Sequence, residues 1–168
     1  MNSKGIIDIC LASATIILSA IAVLISIHTA KKQNRIALFE KRIEVYSVAK
    51  KLVLLGEHMR AKELERDRYN ITYFFQTLRY VFSNGQDYSI DKQDFEKISF
   101  YISEVITSAN FLFDKKIVYE LNKIHTLLLD IERNHKESDV MNKVSKFSSL
   151  TISFSETTLH NMEKIIKL

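Results

Sequence analysis

The chain has 168 residues, with 24 Lys and Arg against 20 Asp and Glu, one cysteine and no proline. A single cysteine excludes an intramolecular disulfide and a cysteine-rich zinc site, and this length suffices for one core. The net charge of +4 is unevenly placed: residues 1–68 hold 12 Lys and Arg against 7 Asp and Glu, residues 69–168 hold 12 against 13.

The first element predicted is a membrane span. Gly5 to His28 is apolar over about 24 residues, about 36 Å as a helix, against a hydrocarbon core of roughly 30 Å. Ala20-Ile21-Ala22 imitates a signal-peptidase site. Val23-Leu24-Ile25 follows it directly, however, and Lys4 is the only basic residue ahead of the apolar run, so a retained helix is expected. Lys31, Lys32, Arg35, Lys41 and Arg42 follow the span. The positive-inside rule then puts the C-terminal side in the cytoplasm and the N-terminus outside. The expected organisation is a transmembrane helix over 1–30 and a cytosolic α-helical domain over 31–168.

Within the span, Asp8, Ala12, Thr15, Ser19, Ala22 and Ser26 recur at spacings of four and three. A 3.5-residue repeat keeps one helix face turned towards a partner, and the partners of a lone span are most simply its own copies. Two uses of this seam are open. Small residues and hydroxyls suit a dry packing interface, and the same polar face, with Asp8 near its outer end, suits a water-lined ion path. Cys10 falls on the opposite face with Ile17, Ile21 and Leu24.

Beyond the span, Ile36, Phe39, Ile43, Tyr46, Ala49 and Val53 predict a buried helical face from about Asn34 to Arg68, with Gly56 as a bend or end. Thr29 to Gln33 contains no breaker, so span and helix can be continuous. Tyr69 to Ser83 predicts a second helix, closed by Asn84-Gly85. A third, capped by Ser89 or Asp91, runs to about Phe113. Asp114 caps a fourth, with Ile117, Leu121, Ile124, Leu127 and Leu128 on its inner face. The last segment runs from Asp139 to Ile166. Its Ser/Thr-rich middle, Ser148 to Thr158, weakens the helical pattern, and Thr151-Ile152-Ser153-Phe154 alternates like a short strand. The fold class expected is all-α, a span followed by a bundle of four to five helices, in a homo-oligomer.

No pattern of catalytic residues stands out. There is neither a phosphate-cradling glycine loop nor a nucleophile elbow. His135 and His160 have acidic neighbours at helical ion-pair spacing without a second histidine, so neither a metal nor another cofactor is expected, and no enzyme. Two binding patterns remain. Arg35, Lys41, Arg42, Lys50 and Lys51 form a basic stretch suited to a polyanion or to anionic headgroups. Tyr69, Tyr73 and Tyr80 share a helical stripe with Gln76, beside Arg79, and suit either core packing or stacking of nucleobases. Asn70-Ile71-Thr72 is a glycosylation sequon on the side expected to be cytoplasmic.

The run Asn34-Arg-Ile-Ala-Leu-Phe-Glu-Lys-Arg-Ile-Glu-Val-Tyr46, and Ala109-Asn-Phe-Leu-Phe-Asp114 with the helix after it, resemble segments of small bacterial membrane proteins with a cytosolic helical domain. The architecture is similar to the membrane effectors of anti-phage systems, the Hailong effectors in particular. That resemblance implies a homo-oligomeric, tetrameric channel. It would be held closed by a single-stranded DNA oligomer from a partner nucleotidyltransferase, and opened during infection to depolarise the cell. The shared segments are structural and transfer no ligand residues. The alternative is a single-pass anchor or scaffold that presents a helical interaction domain.

Overall fold

The computed structural model describes residues 3–64, 70–83, 92–134 and 139–167, with side chains in those ranges except at 3–10, 12, 64, 92–94 and 167. Among the described residues all regular structure is helical: α1 (Ser3–Leu64), α2 (Ile71–Phe82), α3 (Lys92–Ala109), α4 (Lys115–Arg133), α5 (Val140–Phe154) and α6 (His160–Lys167). A π-helical turn, Ser155–Leu159, joins α5 to α6. Chain packing divides the molecule into two units, Met1–Glu40 and Lys41–Leu168.

In the first unit, the large apolar side chains from Leu11 to Ile27 are 47–69 % exposed. Mean hydropathy reaches 1.9 over an 18-residue window, none of which is buried. A core helix of a water-soluble domain would hide such a face, whereas this one is long and apolar enough to cross a membrane. Thr29 to Gln33 remain helical, as the lack of a breaker predicted.

The second unit packs the last part of α1, α2, α3, α4 and α5–α6 around one core. From α1 it takes Val45, Val48, Ala49, Leu52, Val53, Leu55 and Met59. This corrects the expected register. Ile43 is exposed and Tyr46 only half-buried, while Ala49 and Val53 are indeed inside. Apolar residues occupy more than half of the circumference of α1 here, so periodicity alone could not tell the bundle-facing side from the other.

Contacts fix the directions of the helices. Lys51 stands over the Phe82 ring at 5.4 Å, near the C-terminal end of α2. His58, further along α1, lines a groove with Tyr73 and Thr77, so α2 runs antiparallel to α1. The Ser145 hydroxyl donates to Glu63 at 2.9 Å and the Ser148 hydroxyl to the Gly56 carbonyl at 2.8 Å, so α5 is antiparallel to α1 as well. Ser99 donates to Glu132 and Ser103 meets His125, which sets α3 against α4. Phe75 meets Phe95 edge-on at 4.6 Å, tying α2 to the start of α3.

Local signals explain the helix ends. Asn70 accepts from the Tyr73 amide, so the asparagine of the sequon serves as the N-cap of α2. Asp114 accepts from the amides of Lys116 and Ile117, as its sequence position predicted. The third helix stops at Ala109, four residues before the expected end, because a turn over Asn110 to Phe113 returns its amides to Thr107, Ser108 and Ala109. Asn84-Gly85, Ser89 and Asp91 lie outside the described residues.

Two expectations about helix breakers are corrected. Gly56 does not end α1, which continues to Leu64. The Ser/Thr-rich stretch is helical throughout, with a π turn in place of a strand or loop. Its hydroxyls bond locally: Thr151 donates to the carbonyls of Phe147 and Ser148, and Thr157 to that of Ser153. Back-bonding of this kind lets Ser and Thr sit inside a helix with their polar groups satisfied.

Candidate functional site

Thr15, Ser19, Ala22 and Ser26 are all exposed, and their 4,3,4 spacing keeps them on one face. The Thr15 hydroxyl donates to the Leu11 carbonyl at 2.9 Å, Ser19 to Thr15 at 2.8 Å and Ser26 to Ala22 at 2.8 Å. Each donor is satisfied within the helix, so the face tolerates a dry neighbour. Each oxygen keeps acceptor capacity for water or a cation. The side chains of Asp8, Cys10 and Ala12 lie outside the described set.

Downstream on α1, Ile36, Phe39 and Ile43 are 48, 46 and 41 % exposed. Their helical spacing predicts a place in the core, which they do not take. Their exposure leaves an apolar stripe on a helix segment beyond the expected span.

The basic residues do not converge. At about 100° per residue, Lys41, Arg42, Lys50 and Lys51 are distributed roughly every quarter-turn around α1. Lys41 pairs with Glu44 at 2.8 Å. That hydrogen bond, together with the carboxylate's charge, raises its pKa above the ordinary lysine range. Lys51 is held over Phe82, and Arg42 is partly buried with an unpartnered Nε, whereas Lys50 and Arg35 are exposed. A phosphate chain following one side of the helix would meet only some of them.

The tyrosine stripe does form a concavity. Tyr73, Gln76, Thr77 and Tyr80 line an open groove of about 250 Å³ with His58 of α1, which no spacing in the sequence links to them. His58 Nδ1 is 2.8 Å from the Leu54 carbonyl. Since a carbonyl only accepts, Nδ1 holds the proton, leaving the lone pair of a neutral ring on Nε2. The groove therefore offers aromatic surface beside an amide and an imidazole, a set suited to a planar heterocycle. Tyr69 lies outside the described residues. Phe74, Leu78 and Val81 take up the buried face of α2, as core aromatics and aliphatics do.

His125 is half-buried between α3 and α4, its Nε2 2.8 Å from the Ser103 hydroxyl. Burial lowers its pKa below the ordinary histidine value. It is a packing residue with a titratable ring. Among the described residues no three His, Cys, Asp or Glu side chains are grouped so as to hold a metal.

Comparisons with protein-family models, with curated proteins and with solved structures found no match to this chain.

Proposed function

We propose that the chain is a single-pass protein of the bacterial inner membrane that assembles with its own copies along the Asp8 to Ser26 seam. In this reading the spans line an ion path and the cytosolic bundle gates it. The observation that carries the reading is the uncovered helix of the first unit: hydroxyls at Thr15, Ser19 and Ser26 inside the apolar stretch, then exposed Ile36 and Phe39 beyond it. Phe39 is 11 residues past His28, about 16 Å along a helix and so beyond the reach of acyl chains. The most economical cover for both stretches is another copy of α1.

The setting that accompanies this reading is anti-phage defence, with depolarisation as the outcome. Its ligand is a single-stranded oligonucleotide made by a partner nucleotidyltransferase, with bases stacking at Tyr73 and Tyr80 and phosphates near Arg42 and Lys50. The test is ion flux from liposomes containing the full chain, with and without oligonucleotide. Thr15→Leu with Ser19→Leu should abolish flux while the oligomer persists. A monomer in detergent and in nanodiscs would end the pore reading.

A second reading has its own support. The three seam hydroxyls are already satisfied by their own helix, which favours a dry dimer seam and a scaffold role. An oligomer that passes no ions with any oligonucleotide would select it.

A further inference from the structure

The turn between α3 and α4 holds Phe111 88 % exposed, the most exposed large apolar side chain among the described residues. The turn itself is well tied. The Phe111 amide donates to Ser108, those of Leu112 and Phe113 donate to Ala109, and the Asn110 side chain donates to Thr107. Leu112 is buried and Phe113 packs on the core. The fold thus anchors the residues on either side of Phe111 and presents that one ring to its surroundings.

The position of this turn within the bundle follows from the helix directions. Ser145 near the start of α5 donates to Glu63 at the end of α1 far from Lys41, Lys143 of α5 pairs with Asp130 near the end of α4 at 3.3 Å, and Ser99 in the first half of α3 donates to Glu132 beside it. The third helix therefore runs antiparallel to the part of α1 in the second unit, and the turn after Ala109 lies at the end of the bundle where the chain enters it at Lys41. Lys115, Lys116 and Tyr119 of the returning α4 are exposed beside it, and Asp114 is engaged as the helix cap.

We propose that this turn is a membrane-docking tip, in which Phe111 enters the headgroup layer of an anionic bilayer while Lys115 and Lys116 pair with lipid phosphates. The inference rests on the reading of Gly5 to His28 as a membrane span. The occupant follows from the tether and from charge. Residues 29–40, twelve in all, join that span to the end of the bundle that bears the tip, a short tether to the bilayer. Anionic lipid attracts adjacent lysines, and an aromatic ring with basic neighbours suits the interface. Tyr119 adds a second amphipathic ring of the kind enriched there.

The chain has no tryptophan, so F111W introduces a single indole reporter. The full chain is reconstituted in phosphatidylcholine vesicles with about a third phosphatidylglycerol, and alkaline flotation first reports whether it is inserted. Docking predicts a blue-shifted indole, quenched by brominated acyl chains and protected from aqueous iodide. K115E with K116E should remove that quenching, as should vesicles of phosphatidylcholine alone. F100W, also on an exposed site but on the flank of α3, should stay open to iodide. A chain that floats with the 111 indole open to iodide overturns the docking tip and leaves the span standing. A chain that fails to float overturns both. A blue shift that persists in detergent and rises with protein concentration assigns the turn to contact between copies and also overturns the proposal, as does equal bromolipid quenching at 100 and 111.

Discussion

Gly56 of α1 and Thr151 of α5 share one crossing point. A β-carbon added at position 56 would stand 1.8 Å from Thr151 Oγ1 and 2.9 Å from its Cβ. At the same crossing the Ser148 hydroxyl reaches the Gly56 carbonyl, and Thr151 closes on its own helix. The Ser/Thr content of α5 and the glycine of α1 are thus two halves of one close approach.

Gly56→Ala should therefore destabilise the bundle, although alanine favours a helix over glycine by about 1 kcal/mol. Forcing the helices apart costs about 1–3 kcal/mol, which exceeds that gain once core contacts along α1 are loosened. Thermal unfolding of the full chain in detergent would show a lower midpoint, and adding Thr151→Ala should recover part of it by removing the hydroxyl that clashes. An unchanged or raised midpoint for the single variant would mean that α1 and α5 are not this close.

The two aspartates that precede α4 and α5 should behave differently. Asp114 accepts two amide hydrogen bonds, so Asp114→Ala should cost about 0.5–2 kcal/mol. Asp139 makes no side-chain cap bond, and it stands 3.9 Å from Lys143, which lies closer to Asp130 at 3.3 Å. Asp139→Ala should then stay within about 0.5 kcal/mol of the parent. Paired chemical denaturation curves measure the difference directly.

His125 should make stability fall in mild acid. Its folded pKa lies below the ordinary histidine value because burial disfavours the charged ring. As pH drops below that ordinary value, the unfolded chain binds the proton first, so stability declines until the folded pKa is passed. Above the ordinary value the contribution is complete. Melting midpoints followed from neutral to mildly acidic pH should fall less steeply for His125→Gln than for the parent. Parallel profiles would assign the acid loss to other groups.

The seam gives a cross-linking pattern. In a Cys10→Ala background, cysteines placed singly at Thr15, Ser19 and Ser26 should form disulfide-linked dimers in membranes under mild oxidation. Cysteines at Ile17, Ile21 and Leu24, on the other face, should remain monomeric. Equal cross-linking from both faces would leave the seam without a role in assembly.

The all-helical class, the single apolar stretch and the cap at Asp114 were legible in the residues. Each depends on local chemistry: a run of apolar side chains without a breaker, the absence of proline, a carboxylate placed to meet free amides. The same holds for the inner face of α4, where one clear stripe repeats at helical spacing. Tertiary structure alone decided which side of α1 meets the bundle, because apolar residues occupy both sides of it from Ile36 to Met59. It also decided that Gly56 is a crossing point, that Ser148 to Thr158 stays helical, that His58 joins the tyrosines, and that Phe111 is held outward. Those outcomes depend on what another helix places opposite a residue, and a side chain's own spacing carries no record of that.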